Sequence, residues 1–221
     1  MSAFALKLLA LITMIIDHVG AVFFPEYIWL RYIGRIAMPI YAFLLVQGYR
    51  YSKNFTRYAL RLGVFAVLSE VPYDLLFRRK WLEFGNQNVM FTLLLSLLVM
   101  RFLDLSAQKR NVFWLLCAAG FAALAYVFRV DYGIYGVLMV LSFYLFRDRR
   151  GVDALVFSGI TYGRCLLKNN TVQLWAVMAS VPVFLYNGKK GAFSLKYFFY
   201  FAYPVHLLVL FAVRYVLETA L

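Results

Sequence analysis

Two histidines and a short list of charged side chains sit inside the apolar runs of this 221-residue chain. Asp17 and His18 are adjacent within the run from Phe4 to Phe24, and Arg31 and Arg35 lie four apart in the next run. Glu70 and Asp74 are four apart in the third, Asn88 and Thr92 open the fourth, Arg164 falls in the seventh, and Tyr203, His206 and Arg214 fall in the last. A charge at the centre of a bilayer costs about 2.5–3.5 kcal/mol on insertion scales, so such residues are rare there and usually face an interior cavity. Histidine is the usual general base near neutral pH, and a fixed guanidinium stabilises negative charge as it develops. A base, fixed cations and amide or hydroxyl donors in an apolar bundle suit deprotonating an amine or hydroxyl as it attacks an acyl donor. A proton-coupled carrier or exporter using Asp17, His18 and Glu70 as a relay would need similar parts. These residues leave both readings open, beside that of a non-catalytic scaffold.

Helical geometry sorts the set. Asp17 and His18 point about 100° apart, so an orienting group for His18 must come from another helix. Arg31 and Arg35 share a face, and Pro39, four beyond Arg35, frees the carbonyl of that residue. Pro72 lies between Glu70 and Asp74, which predicts a broken helix whose carboxylates line a water-filled cavity. Structural roles compete with these. Arg35 with Asp17 or Glu70 makes a buried ion pair, and either histidine could join two helices by a hydrogen bond. Arg61, Arg164 and Arg214 sit where they could snorkel to a membrane surface.

The elements that must position these groups are membrane spans. Hydrophobic residues make up 64% of the chain and charged ones 15%, against about 25% charged in ordinary soluble domains. The net charge of +13 comes from basic residues between apolar runs, the pattern of cationic loops rather than of a nucleic-acid binder. The first run shows no cleavage pattern and reads as a retained span. Cys117 and Cys165 stand alone, so neither a redox nor a metal role is expected. Nine runs approach the length needed to cross a bilayer: 4–24, 28–49, 57–77, 88–106, 111–129, 132–147, 152–168, 171–187 and 196–217. The fold class is therefore all-α, a polytopic helical bundle forming one integral membrane domain over residues 1–221. Short connections predict antiparallel neighbours.

Connections after even-numbered spans carry twelve Lys and Arg, Arg150 and Lys196 among them, against six on the other side. On the positive-inside rule the first set faces the cytoplasm, and both termini are expected outside. The Arg78-Arg79-Lys80 cluster runs against this pattern.

Several stretches in order along the chain resemble the TraX-like membrane proteins, a family named for the conjugation-system enzyme that acetylates the pilin N-terminus. They are Leu6-Lys7 through Ile16-Asp17-His18, the run Leu30 to Pro39, Gln47-Gly48-Tyr49, Ser69 to Asp74, Asn88 to Thr92, Asp131-Tyr132-Gly133, and Tyr203 to Leu207. The resemblance implies an acetyl-CoA-dependent acetyltransferase of the bacterial inner membrane. More loosely, an Arg- and His-bearing core is similar to that of large transmembrane acyltransferases, in which a His near the start of the fold is the base; His18 is the matching position. On this reading His18 is the base and Arg35 the charge stabiliser, with Asp17 beside them and Asn88 or His206 as donor or orienter. Acetyl-CoA is the co-substrate. Its phosphates are expected at Arg50, Lys53 and Arg57 or at Lys189 and Lys190, with Arg31 and Glu70 in the donor-binding set. The acceptor is open among a peptide amine, a sugar hydroxyl and a small molecule, since substrate does not transfer with fold. An oligomer is compatible with all of this.

Overall fold

A computed structural model describes residues 1–149, 151–191 and 196–220. Arg150, the side chain of Lys196 and Leu221 lie outside the described residues. The helices are α1 (Ala3–Val22), α2 (Ile28–Gly34), α3 (Ala37–Tyr51), α4 (Phe55–Arg78), α5 (Val89–Lys109), α6 (Val112–Val127), α7 (Gly133–Leu145), α8 (Val152–Lys168), α9 (Ser180–Phe184) and α10 (Lys196–Ala220). A 3-10 segment, Thr171–Ala179, leads into α9. Each of the nine predicted runs is helical, with a 3-10 segment making up most of the eighth, so the all-α expectation is borne out. No strand occurs among the described residues; one isolated bridge joins Gln87 to Val130.

The polar residues that punctuate the chain start and stop these helices. A helix begins with N–H groups that lack partners. Side-chain oxygens of Ser2, Asn54, Asn88, Asn111 and Asn170 accept from N–H groups of the following turn in α1, α4, α5, α6 and the 3-10 segment. Arg79, Arg110 and Asn169 adopt left-handed backbone and end α4, α5 and α8. Pro39 falls in the first turn of α3, where a missing N–H costs nothing. The run 28–49 is therefore divided by a tightened turn at Arg35 and Ile36, where the Ile36 N–H reaches back to Ile33 O at 3.2 Å. Arg35 projects from that turn.

Four segments are long and apolar enough to cross a membrane unaided: Ala3–Val22, Ile28–Tyr51, Val89–Lys109 and Tyr197–Ala220. α7, with 13 residues, spans only about 20 Å against a hydrocarbon core of about 30 Å and depends on its neighbours. α4 is long but carries Arg61, Glu70 and Asp74. Its outer face nevertheless exposes Leu60, Val64, Val67 and Leu68, a stripe at helical spacing that suits lipid contact. The charges turn inward and the apolar residues outward, the inverse of a water-soluble helix. The chain is a membrane protein.

Two expectations need correction. α4 runs unbroken through Pro72, because neighbouring helices keep a proline-bearing turn packed. Glu70 and Asp74 are buried at 7% and 0% exposure and hold protein groups instead of lining a water-filled cavity. Nor do both termini share one face. The Ala3 and Phe4 N–H groups donate to the carbonyls of Lys189 and Lys190, and the Asn187 N–H to Met1 O, so the chain starts at the end where α3 and α5 finish. The last turns of α10 lie at the opposite end, where Arg214 donates to Leu76 O and Glu218 pairs with Arg79. An odd number of antiparallel passes places the two ends on opposite faces. The end holding Met1, Arg50, Arg101 and Lys189 is the basic-rich end.

α10 packs along α4 and α1, α1 against α2 and α3, and α3 against α7. The core between them includes Leu6, Ala10, Ile40, Leu97, Met100 and Met139, all fully buried.

Candidate active site

The loops at the end opposite the basic-rich one enclose a cavity of about 340 Å³. Asp17, His18, Arg31, Arg35, Arg78, Asp131 and Tyr132 all line it. α1 contributes two of these residues from its last turns. The turn between α2 and α3 contributes Arg35. The α6–α7 loop brings Asp131 and Tyr132, and is tied to the α4–α5 loop by hydrogen bonds from Gln87 N to Arg129 O and from Asp131 N to Gln87 O.

Asp17 and Arg35 form the pair anticipated from sequence. Arg35 Nη2 donates to both Asp17 oxygens, at 2.6 and 2.7 Å. Arg31 Nη1 lies 3.1 Å from Asp17 Oδ2 and also donates to the Asp17 carbonyl at 3.0 Å. One carboxylate thus holds two guanidinium groups, and one positive charge is left over on the cavity wall. Removing one partner from such a buried pair costs about 3–5 kcal/mol. Arg35 Nη1 also reaches Gln173 Oε1 at 3.5 Å, and Gln173 Nε2 donates to the Tyr135 hydroxyl at 3.2 Å.

His18 receives its orienting group from another helix, as helical geometry requires. His18 Nδ1 lies 2.8 Å from His206 Nε2, and His206 Nδ1 lies 2.8 Å from Ala202 O. The rings stack with centroids 5.0 Å apart and planes 11° from parallel. For neutral rings the chain of bonds fixes where the protons sit. A carbonyl only accepts, so His206 Nδ1 carries the hydrogen and His206 Nε2 is an acceptor. His18 Nδ1 must then be the donor, which leaves His18 Nε2 as the bare lone pair. His206 stands behind His18 and is not part of the cavity wall.

Other expected site residues lie elsewhere. Asn88, fully buried, caps α5 through Oδ1, while its Nδ2 donates to Ala66 O at 2.8 Å and to Glu70 Oε2. The Asn88 N–H donates to the same Glu70 oxygen at 3.2 Å. Asn88 and Glu70 thus brace α4 against α5, outside the cavity wall. Arg50 and Lys53 line a second cavity at the basic-rich end, where exposed Arg57, Lys189 and Lys190 also lie. His18 is fifteen residues along α1 from Ala3, about 22 Å of helix. Arg31 alone of the donor-binding set reaches the His18 cavity.

Arg78, Asp131 and Tyr132 are among the wall residues that sequence reasoning did not select. Asp131-Tyr132-Gly133 stood out only through resemblance. Tyr132 has left-handed backbone at φ 65°, a strained choice for a bulky residue that no sequence pattern announces. Arg78 was visible only as a cation on the wrong side of the loop count.

The model of the family described as TraX protein matches residues 2–214. The probable fimbrial assembly protein FimC, serogroup H1, of Dichelobacter nodosus is 33% identical over 248 aligned residues, covering 98% of this chain and 97% of that protein. Uncharacterized protein RP591 of Rickettsia prowazekii (strain Madrid E) is 33% identical over 91 residues, 41% of this chain and 33% of that protein. No solved structure matches the chain. With a family model that matches residues 2–214 and a relative 33% identical over 98% of the chain, this membrane protein belongs to the TraX family.

Proposed function

We propose that this chain transfers an acetyl group from acetyl-CoA to an amine or hydroxyl, inside the cavity walled by His18 and Arg35. The observation that carries the reading is the bond chain Ala202 O, His206, His18, which leaves Nε2 as the bare nitrogen of a His18 that lines one cavity with Arg31 and Arg35. A neutral imidazole with a fixed free nitrogen is a general base. The guanidinium groups, held by Asp17, need no reorganisation as negative charge develops.

Acetyl-CoA, when bound, supplies an acetyl thioester. Nε2 of His18 takes the proton of the attacking N–H or O–H as the new bond to the acetyl carbon forms. Arg31 and Arg35 offset the negative charge that builds on the acetyl oxygen. The C–S bond then breaks, and His18 returns its proton to the departing thiolate, so the imidazole ends neutral. Met14, Met38 and Phe77 form the apolar part of the wall.

Ligand pockets run from about 300 to 1,000 Å³, so a cavity of about 340 Å³ fits the acetyl end and the acceptor's reacting group. The nucleotide end of the donor must lie outside it. The relative named as a probable fimbrial assembly protein makes the N-terminal amine of a fibre subunit the first acceptor to test. The family's bacterial members favour the inner membrane as the location.

The test is release of free thiol from acetyl-CoA by the purified full chain. It is run with a subunit N-terminal peptide, a sugar and a small amine as acceptors. Acceptor-dependent thiol release and an acetylated product are expected. A protein that binds the donor but releases no thiol with any acceptor refutes the reading and returns the cluster to proton-coupled transport.

A further inference from the structure

The second cavity, at the basic-rich end, has a volume of about 460 Å³ and is lined by Arg50, Lys53, Arg101 and Arg147. Asp104 is the acid on its wall. Both of its carboxylate oxygens are taken: the Tyr49 hydroxyl donates to Oδ2 at 2.5 Å and the Tyr144 hydroxyl to Oδ1. The tyrosines thus compete with the cations for that carboxylate. Asp148, outside the cavity, lies 3.1 Å from Arg50 and 3.8 Å from Arg147. Its side chain is 67% exposed, so those pairs are screened and weak. Four cations against Asp104 leave three positive charges on the wall, and two remain when Asp148 is counted. The positive-inside bias places cations at one end of a bundle, but it gives no reason to gather four of them around one cavity.

We propose that this cavity binds a phosphate-bearing anion. Guanidinium forks match phosphate oxygens in pairs, and Lys53 adds a compact point charge. α4 begins at the rim with Phe55, and a helix N-terminus favours negative charge. The opposite end of the molecule offers less. There Glu218 is shared by Arg79 and Arg214, and Glu83 lies 3.6 Å from Lys80, so the cationic cluster that broke the loop pattern is offset only in part. Arg78 remains as its cation on the His18 cavity. A ligand with more than one phosphate charge is better held at the basic-rich end.

Two sources share this chemistry: the phosphate headgroup of an anionic lipid and the phosphates of a soluble donor such as coenzyme A. Along α3, Tyr41 lines the His18 cavity and Val46 the basic one, five residues or about 7.5 Å apart. Ala42, Phe43 and Leu45, all buried, fill that stretch, so an arm joining the cavities would need them to move. A lipid would not. The anion site stands on charge and geometry alone; only its coenzyme source rests on the acyl-transfer reading.

The experiment measures binding of coenzyme A and of inorganic pyrophosphate to the full chain in a neutral detergent. In parallel it measures the melting shift in nanodiscs of phosphatidylcholine with and without phosphatidylglycerol. Lys53→Gln, at an exposed position, and Arg101→Gln are compared with the parent. Removing one cation should weaken the bound probe about tenfold, and added salt should weaken it further. Coenzyme binding lost in both variants supports the site with a soluble source. A melting shift with phosphatidylglycerol, lost in both variants, supports it with a lipid source. No response to any probe, or responses unchanged in the well-folded Lys53→Gln protein, overturns it. Coenzyme binding without thiol release would leave this site standing while the acyl-transfer reading falls.

Discussion

Gly34 lies against the side chain of Asp17 so closely that a Cβ at residue 34 would overlap the carboxylate. The residue after it, Arg35, is the one that the same carboxylate holds. Gly34 therefore sets how near α2 comes to α1, and with it the geometry of the ion pair. In an open helical position, replacing Gly by Ala gains about 1 kcal/mol. Here overpacking should reverse the sign, with a loss of about 1–3 kcal/mol and a fall in turnover as Asp17 is displaced. A melting curve and a turnover measurement on Gly34→Ala check this; a stabilised, fully active variant would show that the contact relaxes freely.

Arg35→Lys separates charge from geometry. A lysine could still reach Asp17, since one nitrogen of Arg35 makes both bonds to that carboxylate. It could not at the same time reach Gln173, which Nη1 contacts, nor present a planar face to Tyr132, whose ring lies 6.0 Å from the guanidinium carbon. The variant should insert and fold while losing about a hundredfold in turnover, the order expected when a charged group is misplaced by an ångström. Near-normal turnover would mean that any positive charge suffices.

Asp17→Asn tests the other side of the pair. Removing the carboxylate leaves Arg31 and Arg35 facing each other at a largely buried site, at a cost of about 3–5 kcal/mol. This is a larger effect than the sequence suggests, since adjacency to His18 says nothing about the two cations that Asp17 holds. Thermal unfolding of Asp17→Asn is the measurement. A melting point equal to the parent's would show that solvent reaches the pair and screens it.

Much of this architecture was legible. The nine apolar runs became helical, because burial of apolar surface and the length of a span leave little choice in a membrane. The need for a partner to His18 on another helix followed from helical spacing, and of the two acids open to Arg35 in the sequence, Asp17 and Glu70, the structure pairs it with Asp17. What the sequence left open was the placement of polar residues whose surroundings are set by tertiary neighbours. Asn88 looked like a donor, yet an Asn directly ahead of an apolar run is also an N-cap signal, and that local role won. Glu70 was drawn toward Asn88 and away from the cavity. Pro72 suggested a break, but packing against α5 and α10 kept α4 continuous. The far separation of Lys189 from His18 depended on which end of the bundle each loop occupies, a matter of pass-by-pass bookkeeping rather than of residue type.

Topology is testable without any assay of activity. The Gly151 loop belongs to the basic-rich end and the end of α10 to the opposite one. Reporters inserted at Gly151 and placed after Leu221 should therefore mark opposite faces, with Gly151 cytoplasmic by the positive-inside rule. The same face at both sites would remove one pass and require Thr171–Phe184 to re-enter rather than cross.

The sharpest test concerns the two histidines. His18→Ala removes the proposed base and should lower turnover by about 10²–10⁴-fold. Donor affinity should hold, because on this reading the donor's phosphates would lie outside this cavity. On the proposed reading His206 is a positioning residue, outside the cavity wall, that fixes which nitrogen of His18 carries hydrogen. His206→Leu removes the acceptor for His18 Nδ1 and frees the ring to present the wrong tautomer, at a cost of about a hundredfold in turnover. His206→Gln restores an acceptor oxygen and should recover much of that loss, which a merely space-filling role would not predict. Nitrogen chemical shifts of labelled His18 supply the independent readout: Nδ1 protonated in the parent and in His206→Gln, mixed in His206→Leu. Turnover within a few-fold of the parent in His18→Ala would make His18 a packing residue and send the search for the base to Asp131, the second carboxylate on the cavity wall.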